Sequence, residues 1–250
     1  MINLNDLEKK YKLNLVKSKL AKNENDAAIF ADEIGFPVVL KIDLEDILHK
    51  SDTGCVVLNL CSKEEVRQAY NRIILSSKKY NPGAHINGIL VQEMLKEGFE
   101  LIVGYNNDVV FGPNIMLGMG GIYTEVFKDI VFRLLPVSKK DINDMINRLK
   151  FSRLLFEGYR GIKIVSKNML IDIIYRISKM ALDLFPEVNS FDINPLFVWG
   201  DQYKVVDFKI VASDKMNVLR KEVPNTDNIN KFFTSSSIAL VGASPTSNGL

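Results

Sequence analysis

Beyond Ile86 the sequence breaks into short β-rich stretches, and that rhythm limits the fold more than any other feature. Gly88 to Met94, Phe99 to Tyr105, Asn114 to Leu117, Ile122 to Phe127 and Ile130 to Leu135 are separated by glycine or asparagine turns. The pattern predicts an antiparallel sheet. Two helices should follow, near 139–150 and 168–185, the second with Leu170, Ile173, Ile174, Ile177, Ala181 and Leu184 at helical spacing. A closing hairpin is predicted from Phe191 to Ile210, turning at Gly200-Asp201.

The residues before Ile86 read instead as helices alternating with short strands. Asn23 and Asp26 form an N-terminal cap, Ala27, Ala28, Ala31 and Ile34 an apolar stripe, and Gly35 with Pro37 a stop. Val38 to Ile42 follows as a buried strand that carries a lysine, and Val56 to Leu60 as a second strand. Ser62 to Glu65 then caps a helix whose Val66, Ala69, Tyr70, Ile73 and Ile74 share one face. The fold class is therefore α+β.

The chain has 250 residues, enough for one large domain or two small ones. With 47% hydrophobic and 25% charged residues, disorder, collagen and coiled coil are poor readings. The apolar runs fall far short of the ~20 residues that span a bilayer. Residues 1–20 carry Asp6, Glu8 and five lysines, unlike a signal peptide, so the expectation is a cytoplasmic protein with no membrane partner. Its 32 basic and 30 acidic residues argue against a nucleic-acid partner. Cys55 and Cys61 are expected to be free, buried, reduced thiols, and with His49 and His85 as the two histidines a structural zinc is a poor reading. Residues 213–230 read as a linker. Ser237 to Ser244 looks like the first strand of a Rossmann unit with its glycine turn, which alone makes no nucleotide site, so the expectation is a piece of a longer protein.

If Gly200-Asp201 is a two-residue turn, Val198 faces Tyr203, Leu196 faces Val205 and Asn194 faces Asp207. Asn194 and Asp207 then offer oxygens suited to Mg²⁺, or simply bond to each other. Lys41 either snorkels at an edge or enters a cleft and meets phosphate. The loop Leu48 to Gly54 is a solvated charged loop or a cover over phosphates. Within it His49 is a packing residue or a carrier of a phosphoryl group. Gly118-Met119-Gly120-Gly121 could let backbone amides approach an anion. A turn at Lys128-Asp129 would set Arg133 opposite Thr124, as a phosphate contact or as part of a hairpin ion pair. Glu93 and Glu100, near a strand edge, could hold a purine and a ribose, or be surface glutamates.

The order of these strings carries a resemblance. ILHKSDTG (47–54), VQEM (91–94), FELIVG (99–104), FGPNIMLGMGGIYTEVFKDIVFRLLP (111–136), GYRG (158–161), FDINPLFV (191–198) and VVDFKI (205–210) resemble the ATP-grasp domain of the ADP-forming acyl-CoA synthetases. The resemblance covers about residues 5–211. It implies an ATP-grasp fold of two α+β subdomains, 1–90 and 91–212, with a nucleotide cleft between them. Residues 213–250 would be a linker and the start of a CoA-binding domain.

By the same resemblance Lys41 would contact phosphates, and Glu93, Met94 and Leu95 would receive adenine. Glu100 would meet ribose, Gly120 and Gly121 would approach the nucleotide, and Arg133 would hold phosphate. Asn194 and Asp207 would ligate Mg²⁺, and His49 would carry phosphate between sites. The cofactors would be ATP/ADP and Mg²⁺, and the partner a CoA-binding α domain or subunit, in a homo- or hetero-oligomer. The implied reaction is acyl-CoA + ADP + phosphate to acid + CoA + ATP, incomplete in this chain alone. Competing readings are an ATP-grasp carboxylate–amine ligase and a non-catalytic nucleotide-binding module that docks an α partner. One departure from the family pattern is Cys55, where a second glycine is usual.

Overall fold

A computed structural model describes residues 3–44, 55–80, 86–96, 98–121, 128–158, 163–185, 187–213, 233–234 and 236–237. The chain divides into two units, Met1–Asn217 and Val218–Leu250. The first holds two antiparallel sheets, each with its own hydrophobic core.

The smaller sheet contains β1 (Ser18–Ala21), β2 (Val38–Leu44), β3 (Val56–Leu60) and β4 (Ile86–Glu93), in the order β1-β4-β2-β3. Helices α2 (Glu24–Ile34) and α3 (Lys63–Tyr80) share its core. The Asn23 side chain accepts from Asn25 N and Asp26 N, which starts α2, and Gly35 at φ +97° ends it. Ser62 Oγ accepts from Glu65 N, and the Glu65 carboxylate accepts from Cys61 N, so α3 opens with a reciprocal cap. Ala27, Ala28 and Ala31 of α2 and Val66, Ala69 and Ile73 of α3 meet Val38, Leu40, Ile42, Ile89 and Val91 of the sheet.

The larger sheet runs β10-β8-β5-β6-β7, with β9 also paired to β8. Its strands are β5 (Phe99–Asp108), β6 (Gly112–Met119), β7 (Ile130–Leu134), β8 (Val188–Trp199), β9 (Gln202–Val205) and β10 (Phe208–Ala212). Its core takes in α4 (Lys139–Arg148), α5 (Ser152–Glu157) and α6 (Lys167–Leu184), through residues such as Ile142, Ile146, Leu155, Leu170, Ile173 and Ile177. Helix α4 begins with a capping box between Ser138 and Asp141.

Two features depart from the sequence reading. The division expected between residues 90 and 91 falls inside β4, which lies between β1 and β2 of the smaller sheet, so the β rhythm starts one strand before the sheets change. Helix α1 (Leu4–Tyr11), expected in the first subdomain, contributes Leu7 and Tyr11 to the larger core, followed by Leu13. It is held there by Tyr11 Oη donating to Asp183 at 2.7 Å. The strand expected at Ile122 to Phe127 lies outside the described residues. Cys55 is buried as expected, but Cys61, just past the end of β3, is exposed, and no disulfide joins them. No described helix is long and apolar enough to cross a membrane.

Candidate functional site

Strand alternation decides which side chains leave the cores. In β2, Leu40 and Ile42 enter the small core, so Lys41 between them emerges on the opposite face. Its ladder partner in β4 is Leu90, and Gln92 lies two residues further on that face. In the larger sheet, Ile193, Leu196 and Val198 enter the core, leaving Asp192, Asn194, Phe197 and Trp199 on the open face.

The closing hairpin has the expected register, with Leu196 opposite Val205 and Val198 opposite Tyr203. Pairing resumes at Ile193 and Phe208. Between the two ladders Pro195 has no N–H to donate, but Val206 N donates to Pro195 O at 3.0 Å and Asn194 N to Asp207 O at 3.1 Å. Asn194 and Asp207 therefore face one another.

Side chains of the small sheet reach this hairpin at three points. Lys204 Nζ lies 2.7 Å from Glu93 Oε1, Gln92 Nε2 donates to Val206 O at 3.0 Å, and Lys41 Nζ lies 3.4 Å from Asp207 Oδ2. Gln92 is 3% exposed, so its amide needs such a partner. Lys41 does not snorkel; it enters the space between the sheets and meets a carboxylate. Asp192 stands on the same open face. Burial pushes its carboxyl above the usual carboxylate range, and Lys209 opposes while the nearby charge of Asp207 reinforces the rise.

Further along both strands Met94, Leu95, Lys96, Gly98, Lys163, Phe197 and Trp199 line a cavity of about 350 Å³. The Phe197 and Trp199 rings meet edge to face, with centroids 5.9 Å apart. A Cβ at Gly98 would come within 2.4 Å of the Phe197 ring, so only glycine lets the chain lie on it. Glu100 is the ladder partner of Phe197, which places it beside the cavity. Gly120 N donates to Glu100 O, and a Cβ at Gly120 or Gly121 would fall 3.0 Å from Glu100 atoms. Those glycines press on Glu100.

The structure thus brings together Lys41, Asn194 and Asp207 at one end, and Met94, Leu95 and Glu100 with Gly120 and Gly121 at the other. Glu93 sits between them in another role. Its carboxylate accepts from Lys17 N at 2.8 Å and from Lys204, tying segments of the fold together rather than facing the cavity. Arg133 is a correction. β7 pairs with β6, which sets Arg133 opposite Ile115, and Ile115 belongs to the helix-covered core. The guanidinium donates to Phe132 O and helps hold the Asp141 carboxyl at the start of α4 below its ordinary range, after the Ser138 hydrogen bonds. It is on the wrong face to join Lys41 and Asp207. Its expected neighbour Thr124 and the candidate carrier His49 lie outside the described residues.

Sequence reasoning missed Gln92, Lys204, Lys163, Phe197, Trp199 and Asp192. The spacing of Asp192 and Asn194, two apart in one strand, was the available signal for Asp192; the others act between sheets. Hard oxygen donors at Asp207 and Asn194 fit Mg²⁺. Among the described residues no three or more His, Cys, Asp or Glu converge as a metal cage. A cation here would take its remaining ligands from water and phosphate, as Mg²⁺ commonly does.

A family model described as an ATP-grasp domain matches residues 3–212. The chain is 46% identical over 204 residues to the ADP-forming 4-hydroxybutyrate–CoA ligase of Nitrosopumilus maritimus, matching 81% of this chain but 29% of that protein. It is 40% identical over 206 residues to the beta subunit of the ADP-forming acetate–CoA ligase I of Pyrococcus furiosus, covering 82% of this chain and 88% of that one. The chain therefore spans under a third of the first of these relatives and most of the second. A solved structure of the dinucleotide forming acetyl-coenzyme A synthetase 1 of Ca. Korarchaeum cryptofilum, in complex with coenzyme A, Ca-AMPCP and HgCl+, superposes with TM-score 0.78 at 41% identity. The match covers 84% of this chain and 90% of that chain.

Proposed function

The chain belongs to the ATP-grasp family, and from that premise we propose that it is the nucleotide-binding, phosphoryl-transferring part of an ADP-forming acyl-CoA synthetase. The reaction of the whole enzyme is acyl-CoA + ADP + phosphate to acid + CoA + ATP. The observation that supports this best is Lys41 of one sheet lying 3.4 Å from Asp207 of the other, alongside strands that lead to an aromatic-walled cavity.

In this reading the base lies against Phe197 and Trp199, beside Met94 and Leu95, and the ribose lies near Glu100. Lys41 binds phosphate as a compact charge. Asn194 and Asp207 would hold Mg²⁺, which would supply positive charge against the phosphates. Lys41 supplies a fixed positive charge for the same purpose, at a site only partly open to water. His49, as neutral imidazole, would attack the γ-phosphorus of ATP through a ring nitrogen with ADP leaving, and in reverse would return the phosphoryl group to ADP. CoA and acid are taken up mainly by an α domain or subunit, and the residues from 213 onward are a linker and the beginning of that domain. The setting is the cytoplasm, in keeping with reduced thiols at Cys55 and Cys61.

The test is phosphoprotein formation from ATP labelled at the γ position, with and without a supplied α partner. Labelling that needs Mg²⁺ and vanishes in His49→Ala supports the reading. Nucleotide binding with the same Mg²⁺ dependence in Asp207→Ala, Asn194→Ala and wild type would rule it out.

A further inference from the structure

Three contacts hold the segment from Lys204 to Asp207 against the small sheet, and they differ in kind. Lys204 with Glu93 and Gln92 with the Val206 carbonyl join groups to which the reading above assigns no ligand. The third joins Lys41 to Asp207, the two groups assigned above to phosphate and to cation. We propose that Lys41 holds the place of the divalent cation in the ligand-free protein, so that cation enters only together with a nucleotide whose phosphates draw the ammonium away. This inference rests on the reading of Asp207 and Asn194 as cation ligands.

The Lys41 side chain is 16% exposed and that of Asp207 35%, so this is not a freely solvated surface pair. A divalent ion arriving alone at Asp207 would face the ammonium across a few ångströms with little water to screen them. Displacing Lys41 instead would leave a mostly buried charge without its counter-ion. Either exchange is unfavourable. Phosphate oxygens change the balance, because they give Lys41 a new anionic partner and supply the ligands the cation lacks. The Gln92 and Glu93 contacts persist meanwhile, so the segment keeps its position while the side chains change partners. Linkage is reciprocal, so cation and nucleotide each strengthen the binding of the other.

The test uses Mn²⁺ as a paramagnetic substitute for Mg²⁺, with free Mn²⁺ read by electron paramagnetic resonance on the whole chain without nucleotide. Wild type should take up little Mn²⁺. Lys41→Met should bind it at least about tenfold more tightly, Lys41→Arg should resemble wild type, and Lys41→Met with Asp207→Asn should lose the gain. Circular dichroism melts confirm that each variant is folded. Wild type binding Mn²⁺ as tightly as Lys41→Met overturns the inference, and so does a Lys41→Met variant that still excludes it. A parallel titration with Mn²⁺ and AMPPCP isolates the premise: if Asp207→Asn binds the pair as well as wild type, the cation reading itself falls.

Discussion

The two sheets solve opposite problems. The smaller one is padded with alanine: Ala21, Ala27, Ala28, Ala31 and Ala69 are among its buried residues, so its helices lie close over a thin core. The larger is filled by isoleucine, leucine and phenylalanine from strands and four helices. Each exposes a functional face away from its core. The small sheet contributes long reaching side chains (Lys41, Gln92 and Glu93), while the large sheet contributes short oxygen donors and aromatic rings. On the proposed reading the labour is divided: the larger sheet, as platform, would carry the cation ligands and the aromatic wall, and the smaller, as lid, would carry the charge that meets phosphate.

The strongest challenge to that division is to remove one charged group from each side. Lys41→Ala and Asp207→Ala should each lower phosphoryl transfer by about 10²–10³-fold, measured as the initial rate of protein labelling from ATP. Unequal losses, with one near wild type, would show that only one sheet carries the chemistry. Next come the cores. Ile173→Ala in the large core should cost about 4 kcal/mol in chemical denaturation, and Ile73→Ala in the small one about 2–3 kcal/mol, because a thin alanine-rich layer collapses more easily around a void. Equal costs would remove the distinction between platform and lid.

Smaller still, Glu93→Gln should weaken the tie to Lys204 by about 1 kcal/mol, the two side chains being 22% and 19% exposed. Hydrogen exchange should speed up at β4 and β9 and stay unchanged in α6. The mildest expected effect is with acid. Asp108, Asp141, Asp172 and Asp183 have carboxyls held below the ordinary range, chiefly by hydrogen bonds, and all belong to the larger region. A lowered folded pKa gives stability that is present above about pH 4 and lost as pH falls through the lowered value. Asp192, shifted upward, works in the opposite sense. Acid melts followed by exchange should therefore loosen α4 and α6 before α2 and α3.

Much of this was legible in the residues. A lysine between Leu40 and Ile42 breaks an apolar strand, and the tight turn at Gly200 fixes which residues of the last hairpin oppose each other. Local signals sufficed there. The turn at Lys128 alone could not reveal which core Arg133 sits beside, because β7 also pairs with β6, which sets Arg133 opposite Ile115. The ties made by Gln92 and Lys204, and the cavity wall of Phe197 and Trp199, come from residues about a hundred positions from their partners. Alternation within one strand carries no record of them. The role of Glu93 was hidden for the same reason, since the cation it meets lies at position 204.

The segment just after α1 bears on how the molecule is made. Val205 N donates to Asn14 O, Val16 N to Val205 O, and Tyr203 Oη to the Lys12 carbonyl. These early residues leave the ribosome about 190 positions ahead of the strand that receives them, and pairing at such separation is slow to form. They must wait, solvated, while both sheets are synthesised. Closure of the domain is thus an event after translation of β9, and an interrupted chain ending before it would leave an open seam for chaperones to recognise.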